Sequence, residues 1–202
     1  NIHEIIFLRD WIKTKFFEKK IKNFYKINTN IFFDKLEQID KKIKDKKFLE
    51  IFTKKYIPDF KKKLIKQTIY YPKDYECHGD FTLSNIIISY SDKRITLIDF
   101  LKTYNENIIQ DYAKLYQEFK FGWSARYLDP VKNTRSLIVY KNIINDNQWN
   151  ALDIKIKKAI IVEVHMTLFR ILPYIDSDDK ITIDWVIQSI KTLRKSNIRN
   201  NL

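Results

Sequence analysis

Residues 78–100 read HGDFTLSNIIISYSDKRITLIDF, and the rest of the chain is understood outward from them. Asp80 stands five positions before Asn85, and Asp99 stands fourteen positions after it. Between the amide and the second carboxylate lie two apolar, β-branched runs, Ile86-Ile87-Ile88 and Ile95-Thr96-Leu97-Ile98. The polar, turn-forming segment 89–94 joins them, a pattern that predicts a β-hairpin. Folding the second strand back brings Asp99 beside the loop that carries Asp80 and Asn85. Two carboxylates and an amide converging there make a site for a divalent metal and for acid–base chemistry.

Upstream, residues 4–26 repeat apolar side chains at spacings of three and four, from Ile5, Leu8 and Trp11 to Ile21, Phe24 and Tyr25, which predicts one amphipathic helix. Asn28-Thr29-Asn30 supplies a break and a cap before a second helix over 31–47, with Phe32, Leu36, Ile39 and Ile43 on one face. A third helix over 47–56 is interrupted by Pro58. Downstream, helices are expected over 109–121, ended by Gly122, over 134–145, over 148–172, stopped at Pro173, and over 181–195 with a polar tail. The expectation is mainly α, about seven helices around one small β-hairpin. It divides into a helical segment 1–70, a loop, hairpin and anchoring helix over 71–122, and a helical part 123–202. Aromatic stripes at helical spacing read as core.

A chain of 202 residues fits one domain or one lobe of a larger one. Its single cysteine, Cys77, cannot form an internal disulfide and favours a reducing, cytoplasmic setting. Lys or Arg interrupts every apolar segment, so no transmembrane span is expected. The net charge of +13 invites a nucleic-acid reading, but its distribution argues against one. Residues 1–67 hold 19 Lys and Arg against 9 Asp and Glu, and residues 101–202 hold 16 against 11. Residues 68–100 hold 3 against 5, so the hairpin stretch alone is net negative, as a metal site requires. The lysines elsewhere read as a solvated basic face.

The order His78-Gly79-Asp80, Asn85, a strand ending in Ile98-Asp99-Phe100, and Asp111-Tyr112-Ala113 opening a helix resembles the aminoglycoside phosphotransferase and choline kinase family. That family has the protein-kinase-like fold, and the flanking helices agree in kind with its helical C-terminal lobe. The resemblance implies an ATP- and Mg²⁺-dependent kinase acting on a hydroxyl of a sugar, an amino-sugar or a choline-like alcohol. Asp80 would accept or orient the proton of the attacking hydroxyl, and Asn85 and Asp99 would bind the metal. Each also has a plainer reading, a turn cap for Asp80 and a hairpin cap for Asn85. Asp99 ends an apolar strand, where a carboxylate is costly unless it binds something. His78 reads as a support that packs and hydrogen-bonds rather than as a base, and Gly79 as a position that permits close backbone approach. Asp111 is either the family's anchor of the catalytic loop or a simple acid at a helix start. Trp123 and Tyr127 sit where such lobes bind the acceptor, to stack on it or to pack in the core.

The departures from the family are equally specific. The chain has two glycines, Gly79 and Gly122, so it carries neither a glycine-rich phosphate loop nor a Walker sequence. A helical opening cannot supply a stranded nucleotide lobe, so either that lobe is expected ahead of Asn1 in the same polypeptide or the chain is a degenerate relative that lacks it. The fragment alone would then be inactive. The competing reading is a non-catalytic, pseudokinase-like scaffold or a basic helical domain that binds nucleic acid.

Overall fold

The computed structural model describes residues 2–73 and 75–199, with side chains described through Lys195. Helix α1 (Ile2–Ile12) widens into a π-helical turn at Lys13–Phe17 and stops there. The single helix expected over 4–26 is thus corrected: Phe24–Lys26 forms strand β1, paired antiparallel with β2 (Tyr70–Pro72). Pairing supplies the reason, since the Ile27 amide donates to the Ile69 carbonyl at 3.0 Å and the Lys73 amide to the Asn23 carbonyl at 3.0 Å. Ladder bonds and aromatic contacts between Tyr25 and Tyr71 outweigh the helical periodicity.

Helix α2 (Asn30–Ile43) buries Phe32, Leu36, Ile39 and Ile43, the face read from sequence. Pro58 does not interrupt a helix. It sits in the first turn of α3 (Ile57–Leu64), after a π-helical turn at Phe52–Tyr56. The first turn needs no amide from proline, and the wider preceding turn makes room for its ring.

Strands β3 (Ile86–Ser89) and β4 (Arg94–Leu97) form the expected hairpin, in register from Ile86 opposite Leu97 to Ser89 opposite Arg94. Helix α4 (Ile108–Phe121) starts at the Asn107 side-chain cap and ends at Gly122, whose φ of +67° is the left-handed cap a glycine allows. Helix α5 (Pro130–Ile143) begins earlier than expected because Asp129 caps it and Pro130 fits its first turn. The long helix expected over 148–172 is two: α6 (Asp146–Ala151) and α7 (Ile154–Ile171), divided where Asp153 caps the second. Helix α8 (Lys180–Arg199) completes the described chain, and the end of the expected polar tail lies outside the described residues.

Helices α4 and α7 pack most extensively against each other and form the spine of a single apolar core. Two features attach the outer elements to that spine. The Tyr112 hydroxyl of α4 donates to the Phe16 carbonyl at the end of α1. Lys46 Nζ, past α2, donates to the carbonyls of Pro173 and Ile175 at 2.9 and 3.0 Å, beyond the end of α7. The architecture is the mainly helical one expected for the helical lobe of a kinase-like fold, with two small antiparallel strand pairs. Among the described residues, no helix is long and apolar enough to cross a membrane.

Candidate active site

The loop at 78–81 is held from three sides. Asp111, in the first turn of α4, accepts the His78 amide on Oδ2 at 2.8 Å and the Gly79 amide on Oδ1 at 2.9 Å. Burial pushes this carboxyl above its ordinary pKa, and the two amide bonds pull the other way. The His78 ring uses both nitrogens: Nε2 lies 2.7 Å from the Ile98 carbonyl, and Nδ1 accepts the Asp80 amide at 3.3 Å. A neutral ring with its proton on Nε2 satisfies both contacts. Phe81 then inserts between Trp11 and Phe16 of the first helical segment, with ring centroids 6.0 and 5.0 Å away.

Gly79 is where the chain makes its closest approach. Its φ is +81°, and a Cβ there would stand 1.9 Å from the Leu101 carbonyl oxygen. The Leu101 amide donates to the His78 carbonyl at 2.9 Å, so the strand exit and the 78–81 loop are bonded directly. The Ile98 amide donates to the Asn85 carbonyl at 3.1 Å. Asp99 lies between these two tethers, which bring it to the loop as the hairpin reading required. Its φ of +56° is left-handed, a conformation uncommon outside glycine but several-fold enriched in aspartate. The carboxylate is exposed.

Asn85 is buried at the end of a short 3₁₀ turn, and its Nδ2 donates to the Asp80 carbonyl at 2.9 Å and to Asp80 Oδ2 at 3.2 Å. This orientation turns the amide oxygen away from Asp80. Asp80 Oδ1 pairs with Lys114 Nζ at 2.8 Å. Among the described residues, no three His, Cys, Asp or Glu gather as a metal cluster. An amide oxygen and one exposed carboxylate nonetheless fit Mg²⁺, which keeps several waters and takes its remaining ligands from phosphates.

Lys114 also lines a cavity of about 390 Å³ that opens between α2, α4 and the end of α7, together with Lys35, Lys42, Trp123, Arg170 and Tyr174. A second, more open cavity of about 770 Å³ lies along His78, Phe100 and Glu106. Trp123 thus reaches a cavity wall, with the Arg126 guanidinium 3.5 Å over its ring. Tyr127 does not line that cavity. Its hydroxyl bonds to Asp179 Oδ2 at 2.6 Å and Thr182 Oγ1 at 2.8 Å, which ties it to the start of α8. Lys114 was missed in the sequence, although its place one turn after Asp111 puts both on one helix face. Lys35 and Lys42 read as part of a solvated basic face, and Arg170 gave no signal at all.

Residues 75–140 match the model of the phosphotransferase enzyme family, 66 of the 202 residues. The resemblance carried by His78, Asp80, Asn85, Asp99 and Asp111 therefore holds over the segment that contains all five. No curated protein and no solved structure matches the chain.

Proposed function

We propose that the chain is the catalytic lobe of an ATP- and Mg²⁺-dependent phosphotransferase acting on a hydroxyl of a small molecule. One observation carries this reading. Asp80, Asn85 and Asp99 lie on a single loop-and-hairpin unit whose backbone is bonded to itself at 98 and 101, and to Asp111 at 78 and 79. In this reading Asp80 takes the acceptor's hydroxyl proton while the acceptor oxygen forms a new bond to the γ-phosphorus. The bond from that phosphorus to the bridging oxygen breaks, and ADP leaves. Asn85 and Asp99 would hold Mg²⁺, which would supply neutralisation of the phosphate charge. Lys114, which lines the smaller cavity, holds the Asp80 carboxylate through an ion pair. Sugars, amino-sugars and choline-like alcohols are the acceptor classes considered.

The test is ATP consumption and Mg²⁺–ATP-dependent thermal stabilisation of the polypeptide that contains this chain, with Asp99→Ala as the control. Stabilisation of several degrees that Asp99→Ala removes is expected. A melting temperature indifferent to Mg²⁺–ATP would sink the proposal. Tight, steeply salt-dependent binding to duplex DNA in its place would favour the basic-domain reading.

A further inference from the structure

We infer that the acceptor is an anion: a monosaccharide-sized hydroxyl compound that already bears a phosphate or carboxylate, held in the cavity beside Lys114. This rests on the phosphotransferase reading and narrows its substrate. Four cations from three elements face the cavity: Lys35 and Lys42 from α2, Lys114 from α4 and Arg170 from α7. No Asp or Glu stands among its lining residues within the described chain. The volume of about 390 Å³ is near the lower end of ligand cavities, about 300–1,000 Å³, which suits one sugar ring better than several.

The charge is not there to be solvated alone. Lys35 and Lys42 lie seven residues apart on one face of α2, with Gln38 between them, and that face turns toward Arg170. Burial depresses the Lys35 ammonium below its ordinary pKa, and the like charges of Arg170 and Lys42 push the same way. Arg170 also feels Glu163, but the carboxylate oxygens of Glu163 are taken by the Tyr71 and Tyr104 hydroxyls. Lys114 is the one cation with a carboxylate partner, and that partner is Asp80. An acceptor seated here with its anionic group toward Lys35, Lys42 and Arg170 turns its other end toward Lys114, whose ammonium is paired with Asp80. A cationic amino-sugar or a choline-like alcohol meets the same four charges as repulsion. The set of acceptors considered above contracts accordingly.

The experiment is titration calorimetry on the complete polypeptide with five probes: glucose, glucosamine, glucose 6-phosphate, glucuronate and inorganic phosphate. One of the two anionic sugars is expected to bind at least tenfold tighter than glucose, with glucosamine weakest. Arg170→Gln and Lys35→Gln should each cut that advantage about 10- to 100-fold, as loss of one charge-assisted hydrogen bond does. The exposed Lys42→Glu serves if either variant fails to fold. Equal affinity for glucose and both anionic sugars, or a preference for glucosamine, overturns the inference. So does complete displacement of the anionic sugar by Mg²⁺–ATP, which would assign these cations to the nucleotide. Inorganic phosphate bound as tightly as glucose 6-phosphate would likewise overturn it, because the site would then recognise no sugar. An anion preference without phosphoryl transfer sinks the phosphotransferase reading and leaves the anion site standing.

Discussion

Lys114 Nζ stands 2.8 Å from Asp80 Oδ1, while Asn85 Nδ2 stands 3.2 Å from Asp80 Oδ2, so each oxygen of the proposed base is held by a different element. The Lys114 side chain is only 15% exposed, and its charge lies at the seam between the loop and the basic cavity. Losing it frees one carboxylate oxygen and removes the cation paired with the proposed base. Lys114→Met is predicted to lower kcat about 100-fold, the scale of one preorganised charge lost at a reacting centre, with a much smaller change in KM for ATP. Lys114→Arg should recover part of the rate. Steady-state kinetics decide it, and an unchanged kcat in Lys114→Met would remove the residue from the site.

Asp99 separates stability from activity. Its backbone φ of +56° costs a side chain about 1–2 kcal/mol, which glycine does not incur. A residue kept for its fold would be better as glycine here, whereas a metal ligand must be the carboxylate. Asp99→Gly is therefore predicted to leave the melting temperature unchanged or raised while abolishing Mg²⁺–ATP-dependent stabilisation. Calorimetry with and without Mg²⁺–ATP reads both. A large fall in the metal-free melting temperature would show that Asp99 serves the fold instead.

Gly79 is the opposite case. A Cβ at Gly79 would meet the Leu101 carbonyl oxygen at 1.9 Å and the Thr103 methyl at 2.9 Å, and the backbone oxygen cannot swing aside as a flexible side chain could. Gly79→Ala must break either the bond from the Leu101 amide to the His78 carbonyl or the amide bonds to Asp111. A loss on the order of 3 kcal/mol in denaturant unfolding is expected, together with loss of activity. A variant that unfolds like the wild type would mean the turn is free to move.

The sequence was most legible where several residues constrained one another. The hairpin, the Gly122 cap and the return of Asp99 to the loop all follow from local chemistry: β-branched runs, a turn segment and a glycine. The family match over residues 75–140 covers this same segment. Legibility failed where partners came from far along the chain. Phe24–Lys26 kept a helical period yet became a strand because Tyr70–Pro72 lies beside it. The cavity cations were harder still. Lys35 and Arg170 are 135 positions apart, and nothing local distinguishes them from the chain's many solvated cations. Tyr127, read as either an acceptor contact or core, is bonded to Asp179 and Thr182, partners that no spacing near it could announce.

Glu163 joins α7 to the strand that precedes the site and to the loop that follows it. It is buried, its carboxylate accepts from the Tyr71 hydroxyl and from the Tyr104 hydroxyl at 2.5 Å, and Asn105 Nδ2 approaches at 3.4 Å. Removing the acceptor strands buried hydroxyls at about 1–3 kcal/mol each. Glu163→Ala is predicted to destabilise by about 2–5 kcal/mol on that basis. Glu163→Gln should cost less, because its amide oxygen accepts one hydroxyl and its amide nitrogen donates to the other. Urea unfolding of the two variants tests this, and an equal loss in both would mean that the charge, rather than the bonding, holds the junction.

His165 predicts how the fold responds to acid. It is buried, stacked on Phe60 with ring centroids 4.8 Å apart, and its Nδ1 lies 2.8 Å from the Ile161 carbonyl. Burial pushes its pKa down to about 4 against the one hydrogen bond that favours the charged form, and Lys63 and Arg194, the charges that face it from α3 and α8, push the same way. The unfolded chain therefore binds this proton more readily than the folded one. Stability from this group is complete above about pH 6.5, the unfolded value, and is lost progressively as pH falls toward 4. The loss across that window is on the order of 3 kcal/mol. His165→Phe keeps an aromatic ring against Phe60 and has no proton to take up, so its unfolding free energy should fall less steeply between pH 6.5 and 4 than that of the wild type. Urea denaturation at half-unit pH steps measures the two slopes. Parallel slopes would show that His165 is protonated in the native state, and that the acid response arises elsewhere.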